Sequence, residues 1–557
     1  MYRLRRKLAG LGLAMAMVML LPIQSNAIGS DADLALIDAI RKGDLEQVKS
    51  LLLVGADANA IEADGTSALA WAVYNNDVNM LDLLLGSSED GADANAANDY
   101  GVTPLHLACT NQNTAIVSKL LKAGADPNKA KWTGETPLIT CAGTGDIEAV
   151  SELLANGADV NARESKFEQT ALMWAAAERH ADVVKLLLEK GADISATSKL
   201  IPEPKAFFIE TPGSMGTNLP DTLRFREETG GFNTLQFAAR SGDIGSVIAL
   251  LDAGADIDAA TKEEGSALVI AAAAGHEKLA LTLLERGANP DIADAYGITP
   301  LHFALHKGLL IMNNWAPSDT DKYGWDRHNT PNLVKALLEQ GAKPDPRVKH
   351  SWSHLDNPFQ ARSVEDPAQI EVAGATPLLL AAVSGDIESM KLLIQHGADK
   401  DAKTIGGATL FMLAAGAGIE EDTRDEKQAI EAAKYVLSLG DIDVNAILTA
   451  NDAKNGPGAG KIDGRNIMHF AITLAWKDMI RYLFTLGVNP NHGDRYGMTP
   501  LMIAMGDPEA RYYRNIPIGR YDDRYRRPGP DEEVEALLLE LGAATFTGKI
   551  VDKGSVD

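Results

Sequence analysis

Histidine is the side chain best suited to moving protons near neutral pH or to holding a metal, and the histidines here sit at spacings that invite both readings. His106 and His302 each close a Thr-Pro-Leu-His run, and His469 holds the same place in a related stretch. His302 and His306 are four residues apart, which on a helix turns two imidazoles to one side. His350 and His354 repeat that spacing, with Asp326 and His328 upstream, so a metal clip between two loops is one reading. The ligand set is loose, and His302 with His306 has no evident third member. The Asp-x-Asn pairs Asp57/Asn59 and Asp93/Asn95 lack the flanking oxygen donors of a calcium loop. There is no Gly-rich phosphate loop, no Gly-x-Ser-x-Gly and no paired-cysteine motif. No catalytic residue, metal or cofactor is expected.

The elements that would position these residues recur. The leucine of Thr-Pro-Leu, or its stand-in, falls at Leu36, Leu69, Leu105, Leu138, Leu172, Leu235, Leu268, Leu301, Leu378, Phe411, Met468 and Leu501. Six of the steps between them are 33 residues and one is 34. A glycine, usually in Gly-Ala-Asp, follows the marker by 19 residues in eight units, from Gly55 to Gly487. Each unit carries its own helix signals. Thr103 suits an N-cap and Pro104 the first helical turn, where its missing N–H is not needed. Gly145-Asp146 and its equivalents end one helix and cap the next. Paired leucines then run to the Gly-Ala-Asp turn, followed by about a dozen polar residues.

This pattern of Thr-Pro-Leu-His, Ala-Ala, Gly-Asp, Leu-Leu and Gly-Ala-Asp-x-Asn resembles the ankyrin repeat over nearly all of the chain. The resemblance implies an all-α repeat solenoid of about twelve units, each a helix–turn–helix with a β-hairpin-like finger loop. The units expected are 31–63, 64–99, 100–132, 133–166, 167–197, 230–262, 263–295, 296–345, 373–405, 406–446, 463–495 and 496–547. It also implies that the histidine of Thr-Pro-Leu-His bonds within and between repeats. Thr103, His106, Thr299, His302 and His469 are then structural, and Ala70, Ile139, Met173 or Gln236 fill the slot elsewhere. Cys109 and Cys141 fall on neighbouring first helices. With helix axes about 8–10 Å apart, the expectation is two buried, unpaired thiols.

Insertions break the period near 198–229, 307–329, 343–372, 417–428, 446–463 and 506–530. A stack tolerates extra residues only at its loops. Several insertions carry aromatics that loops rarely need: Trp315, Tyr323 and Trp325 in one, Trp352 in another. Removing 307–329 is expected to cost binding rather than stability. Residues 511–530 hold six arginines and four tyrosines, and Arg511, Tyr512, Tyr513, Arg514, Arg526 and Arg527 form a candidate anion- or partner-binding patch. Tyr100, Trp132, Phe167, Tyr296 and Tyr496 sit near finger tips and are the other candidates. Trp71, Trp174, Phe237, Phe303 and Phe470 lie two residues after the marker, half in the core.

The first 27 residues read as a cleaved leader. Arg3, Arg5, Arg6 and Lys7 precede an apolar run from Leu8 to Ile23, and Ser25-Asn26-Ala27 supplies the small residues of a cleavage site. Losing those four cations takes the formal charge from −25 to −29, a balance that disfavours nucleic acid. The reading is an exported scaffold, periplasmic or secreted, that binds another protein. It is expected to be monomeric, with no membrane span in the mature chain. The competing readings are an accessory or enzymatic protein with a small-molecule or metal site between the insertions, and a secreted host-directed effector.

Overall fold

In this computed structural model the described residues are 31–87, 91–202, 228–312, 328–349, 370, 372–419, 424–449, 464–494, 497–505 and 531–544. The expected leader, Tyr496, Trp315, Tyr323, Trp325, Trp352, His350, His354, Asp326 and the arginine-tyrosine stretch lie outside them. The chain divides between Ile194 and Ser195 into two compact units.

Among the described residues the first unit is five helix pairs: α1 Asp31–Arg41 and α2 Leu45–Leu53, α3 Ala68–Tyr74 and α4 Val78–Leu85, α5 Pro104–Thr110 and α6 Thr114–Lys122, α7 Pro137–Thr144 and α8 Ile147–Ala155, α9 Ala171–Ala177 and α10 Ala181–Glu189. The second begins with the short pair β1 Ile201–Pro202 and β2 Glu228–Thr229. It continues with α11 Thr234–Ser241 and α12 Ile244–Asp252, the antiparallel β3 Ala260–Thr261 and β4 Gly265–Ser266, then α13 Ala267–Ala273 and α14 Glu277–Glu285. Next come α15 Pro300–Ala304, α16 His306–Met312 and α17 Pro331–Glu339, then α18 Pro377–Ser384 and α19 Ile387–Gln395. The last pairs are α20 Leu410–Ala414 with α21 Glu426–Leu437, α22 Ile467–Thr473 with α23 Lys477–Thr485, and α24 Pro500–Ala504 with α25 Glu532–Glu540.

The sequence dictates these short helices residue by residue. At α5, Thr103 caps in extended geometry, accepts from His106 N, and is followed by Pro104. At α8, Asp146 accepts from Ala149 N. Between them Gly145 takes φ +83, and a Cβ there would lie 2.4 Å from His180 Nδ1, so this turn requires glycine twice over. Within each unit, first helices pack against neighbouring first helices, which is why they are rich in alanine: α3, between α1 and α5, buries Ala68, Leu69, Ala70, Ala72 and Val73. Second helices bury one stripe only, as Val183, Val184 and Leu187 do in α10.

The Gly-Ala-Asp-x-Asn motif forms the rungs of a ladder between units. Asn128 Oδ1 accepts from Asp159 N at 2.7 Å, and its Nδ2 donates to Gly157 O at 2.8 Å. Asn95 does the same to Asp126 N and Gly124 O, at 2.6 and 2.8 Å. In the second unit Asp258, Asp291 and Asp345 hold the slot and accept from Asn289, Lys343 and Asp399 N. A carboxylate has no hydrogen to donate, so those rungs keep only the accepting half.

Two expectations are corrected here. Cys109 and Cys141 are joined as a disulfide, with Cα atoms 4.6 Å apart. Axis separation is the wrong measure: the two residues face each other across α5 and α7, which brings their Cα atoms into bonding range. Residues 307–312 are not loop. They extend α16, which packs on α18 with Leu309 and Met312 buried. A Cβ on Gly308 would stand 2.2 Å from Leu380 O, so the two helices nearly touch. Deleting 307–329 would therefore strip core and cost stability.

Candidate functional site

The three histidines are built into the stack. Thr103 N, which can only donate, lies 3.2 Å from His106 Nδ1, and Thr103 Oγ1 lies 2.8 Å from it. Nδ1 must then be the accepting nitrogen, which leaves the proton on Nε2, 3.0 Å from Glu135 O of the next unit. His469 Nδ1 accepts from Asn466 N at 3.3 Å and its Nε2 stands 3.0 Å from Met498 O. His302 Nδ1 accepts from Thr299 N at 3.1 Å, with Ala375 and Pro346 backbone groups acting on the ring. All three are fully buried. Burial, helped by Lys131, holds the His106 pKa down to about 4 against the pull of the Glu135 carbonyl. Burial likewise lowers His302 and His469 to about 4. A ring that is buried, neutral and bonded at both nitrogens, as in His106 and His469, has no lone pair or proton to offer a substrate.

Under His106, burial pushes the Glu135 carboxyl up, but Lys131 at 2.8 Å and Thr140 outweigh it and leave Glu135 below its usual range. His306, His328, Thr330, Glu277 and Phe303 line a cleft with room for about one water. Among the described residues no three of His, Cys, Asp and Glu stand together as a metal site. No helix among them is long and apolar enough to cross a membrane.

The finger loops are laced tip to tip in the first unit. Asp99 N donates to Asp64 O at 2.9 Å, Trp132 N to Tyr100 O at 3.1 Å, and Ser165 N to Thr133 O at 2.7 Å. Each tip is also braced from within: Asn98 Oδ1 accepts from Tyr100 N and Val102 N, at 3.1 and 3.0 Å. On this rigid row stand Tyr100, 55% exposed, and Trp132, 74% exposed. Phe167 follows half-buried, with Lys166 Nζ 4.7 Å from its ring centre. The fourth described candidate fails. Tyr296 is only 7% exposed, because the chain at 347–349 folds over its finger, Lys349 N donating to Tyr296 O at 2.7 Å. Phe237, Phe303 and Phe470 are buried, while Trp71 and Trp174 are half-buried.

The fold brings forward two further residues. Tyr74 is 56% exposed, edge-on to Trp71 at 5.4 Å, with Arg41 over the same indole at 4.7 Å. Helical spacing from Trp71 could have flagged it. Arg424 is buried, its Nη1 donating to Ala382 O at 3.1 Å and its Nη2 to Ala414 O at 2.7 Å, so it caps the ends of α18 and α20. Burial pulls its pKa down to about 10, with Asp425 opposing. Nothing in the local sequence marks this arginine as core.

Family models of ankyrin repeats in tandem match residues 36–131, 124–198 and 231–314, and a single-repeat model matches 373–405, together just over half of the chain. The chain belongs to the ankyrin-repeat family. Among curated proteins this ankyrin array is 32% identical over 239 residues to "Ankyrin repeat and SAM domain-containing protein 6" of Danio rerio, covering 42% of the chain and 29% of that protein. It is 31% identical over 195 residues to "Probable E3 ubiquitin-protein ligase XBOS33" of Oryza sativa subsp. japonica, covering 34% and 36%. It is 32% identical over 208 residues to "SH3 and multiple ankyrin repeat domains protein 2" of Homo sapiens, covering 35% and 10%. The array thus spans little more than a third of these relatives at most. What it shares with them is the repeat, whose general use is binding other proteins.

Proposed function

We propose that this chain is a non-enzymatic, extracytoplasmic scaffold that captures a protein partner on the finger row Tyr100–Trp132–Phe167, in a bacterial periplasm or envelope or beyond it. The observation that carries the reading is the exposure of Trp132 and Tyr100 on adjacent tips held by backbone hydrogen bonds. Large aromatics presented rigidly lose little entropy on docking and dominate binding hot spots. Export is supported by the basic, then apolar, N-terminal segment ending at Ala27. It is supported also by the Cys109–Cys141 pairing, since such bonds persist in oxidising compartments. The arginine-tyrosine patch at 511–527 and the tryptophans of the insertions extend the proposal as secondary contacts. The test is capture of a partner from the envelope fraction by the mature chain and by a Tyr100→Ala/Trp132→Ala variant. The variant should lose the partner while unfolding at the same temperature; undiminished capture sinks the reading.

A further inference from the structure

We infer that the finger row accepts an extended polypeptide segment that sets lysine or arginine against the first two fingers and a large apolar side chain against Tyr100 and Trp132. The inference rests on the docking surface proposed above and adds the chemistry of its occupant.

Charge comes first. The first two fingers, residues 57–66 and 93–102, carry Asp57, Glu62, Asp64, Asp93 and Asp99 and no lysine, arginine or histidine. Arg41 of α1 pairs with Glu62 at 3.2 Å, and Lys129 reaches the second finger only to donate to Asn95 O. Asp99 is exposed beside Tyr100. Cations enter from the third finger on, as Lys131, Arg163 and Lys166, and Lys131 is paired to Glu135. Those later fingers also carry Asp126, Glu135, Asp159, Glu164 and Glu168, so the row runs from strongly acidic through aromatic to nearly balanced charge, and a cation on the occupant finds its strongest complement at the first two fingers.

Spacing comes second. Each finger is two chain segments wide, and paired strands lie about 4.8 Å apart, so tips should recur every ~9.6 Å. A polyproline II segment rises about 3.1 Å per residue with three residues per turn, which returns the same face every ~9.3 Å. One side chain in three would then meet one finger each without bending either partner. Such a segment is already extended before it binds, so ordering it costs little.

The test uses the full chain and two synthetic dodecapeptides, Lys-Pro-Pro-Lys-Pro-Pro-Leu-Pro-Pro-Leu-Pro-Pro and the same sequence with both lysines replaced by glutamate. The lysine peptide should bind, and weaken about tenfold with Trp132→Ala. It should weaken about fivefold with Asp64→Asn/Asp99→Asn and further as salt rises. Asparagine keeps the oxygen that accepts from Thr66 N at Asp64, so the finger turn survives that change. Equal or tighter binding of the glutamate peptide, indifference to either variant, or no binding of the lysine peptide overturns the inference. Partner capture that needs Tyr100 and Trp132 but ignores the asparagine pair and salt removes only the charge assignment. Capture that ignores the two aromatics removes the docking reading itself.

Discussion

Acid should unfold this protein through its buried histidines, and one substitution should show it. His106 has a pKa of about 4 in the fold against 6.5 when unfolded. Between those values the unfolded chain binds the proton and the folded chain does not. The stabilisation held by a neutral His106 is therefore whole above pH 6.5 and drains away as pH falls toward 4. A full shift of this size is worth about 3.4 kcal/mol, and by pH 5 on the order of 2 kcal/mol is gone. His302 and His469 have the same shift and add to the slope. The perturbation that isolates one site is His106→Gln, because the protein has already tried it: Gln236 Oε1 accepts from Asn233 N at 3.0 Å and its Nε2 donates to Gly265 O at 2.8 Å. Glutamine thus reproduces both bonds without a titrating group. Urea unfolding followed by circular dichroism at pH 8 and pH 5 should show the variant losing about 2 kcal/mol less than the parent over that interval. An identical pH dependence of the two proteins, or an imidazole of His106 that titrates near 6.5, would refute the reasoning.

Further outcomes concern the disulfide, the left-handed turns and the ladder. Replacing Cys109 and Cys141 together by alanine should destabilise the first unit by about 3.7 kcal/mol, the loop-closure value for residues 32 apart, read as a drop in the unfolding midpoint. Ala475 sits at φ +53, so Ala475→Gly should stabilise by about 1 kcal/mol. Gly145→Ala, which drives a Cβ to within 2.4 Å of His180, should destabilise by more than that; paired thermal melts check both signs. Asn128→Asp should cost about 1 kcal/mol by removing the donor to Gly157 O, and Asp258→Asn should gain about as much by adding one.

The repeat was legible because its cause is local. A threonine cap, a proline after it, glycine at the αL turn and small residues on the first helix each act within one unit, and thirty-three-residue recurrence multiplies the signal. The surface was less legible. Tyr100 and Tyr296 share a place in the motif, yet one is open and the other is roofed by the chain at 347–349. No pattern within a unit foretells what an insertion will cover. The cysteines failed for a related reason, since pairing depends on which flanks of α5 and α7 face each other rather than on how far apart the helices run. Arg424 belongs to the same class: its partners, Ala382 and Ala414, lie 42 and 10 residues away in sequence.

Amide hydrogen exchange of the chain, alone and with any partner it captures, tests most directly whether this array works by docking on its fingers. Slowed exchange confined to the tips around residues 97–102, 130–135 and 163–168, with the second helices unchanged, is the result expected. Protection centred on the second helices, or on the buried histidines with the fingers untouched, would contradict it.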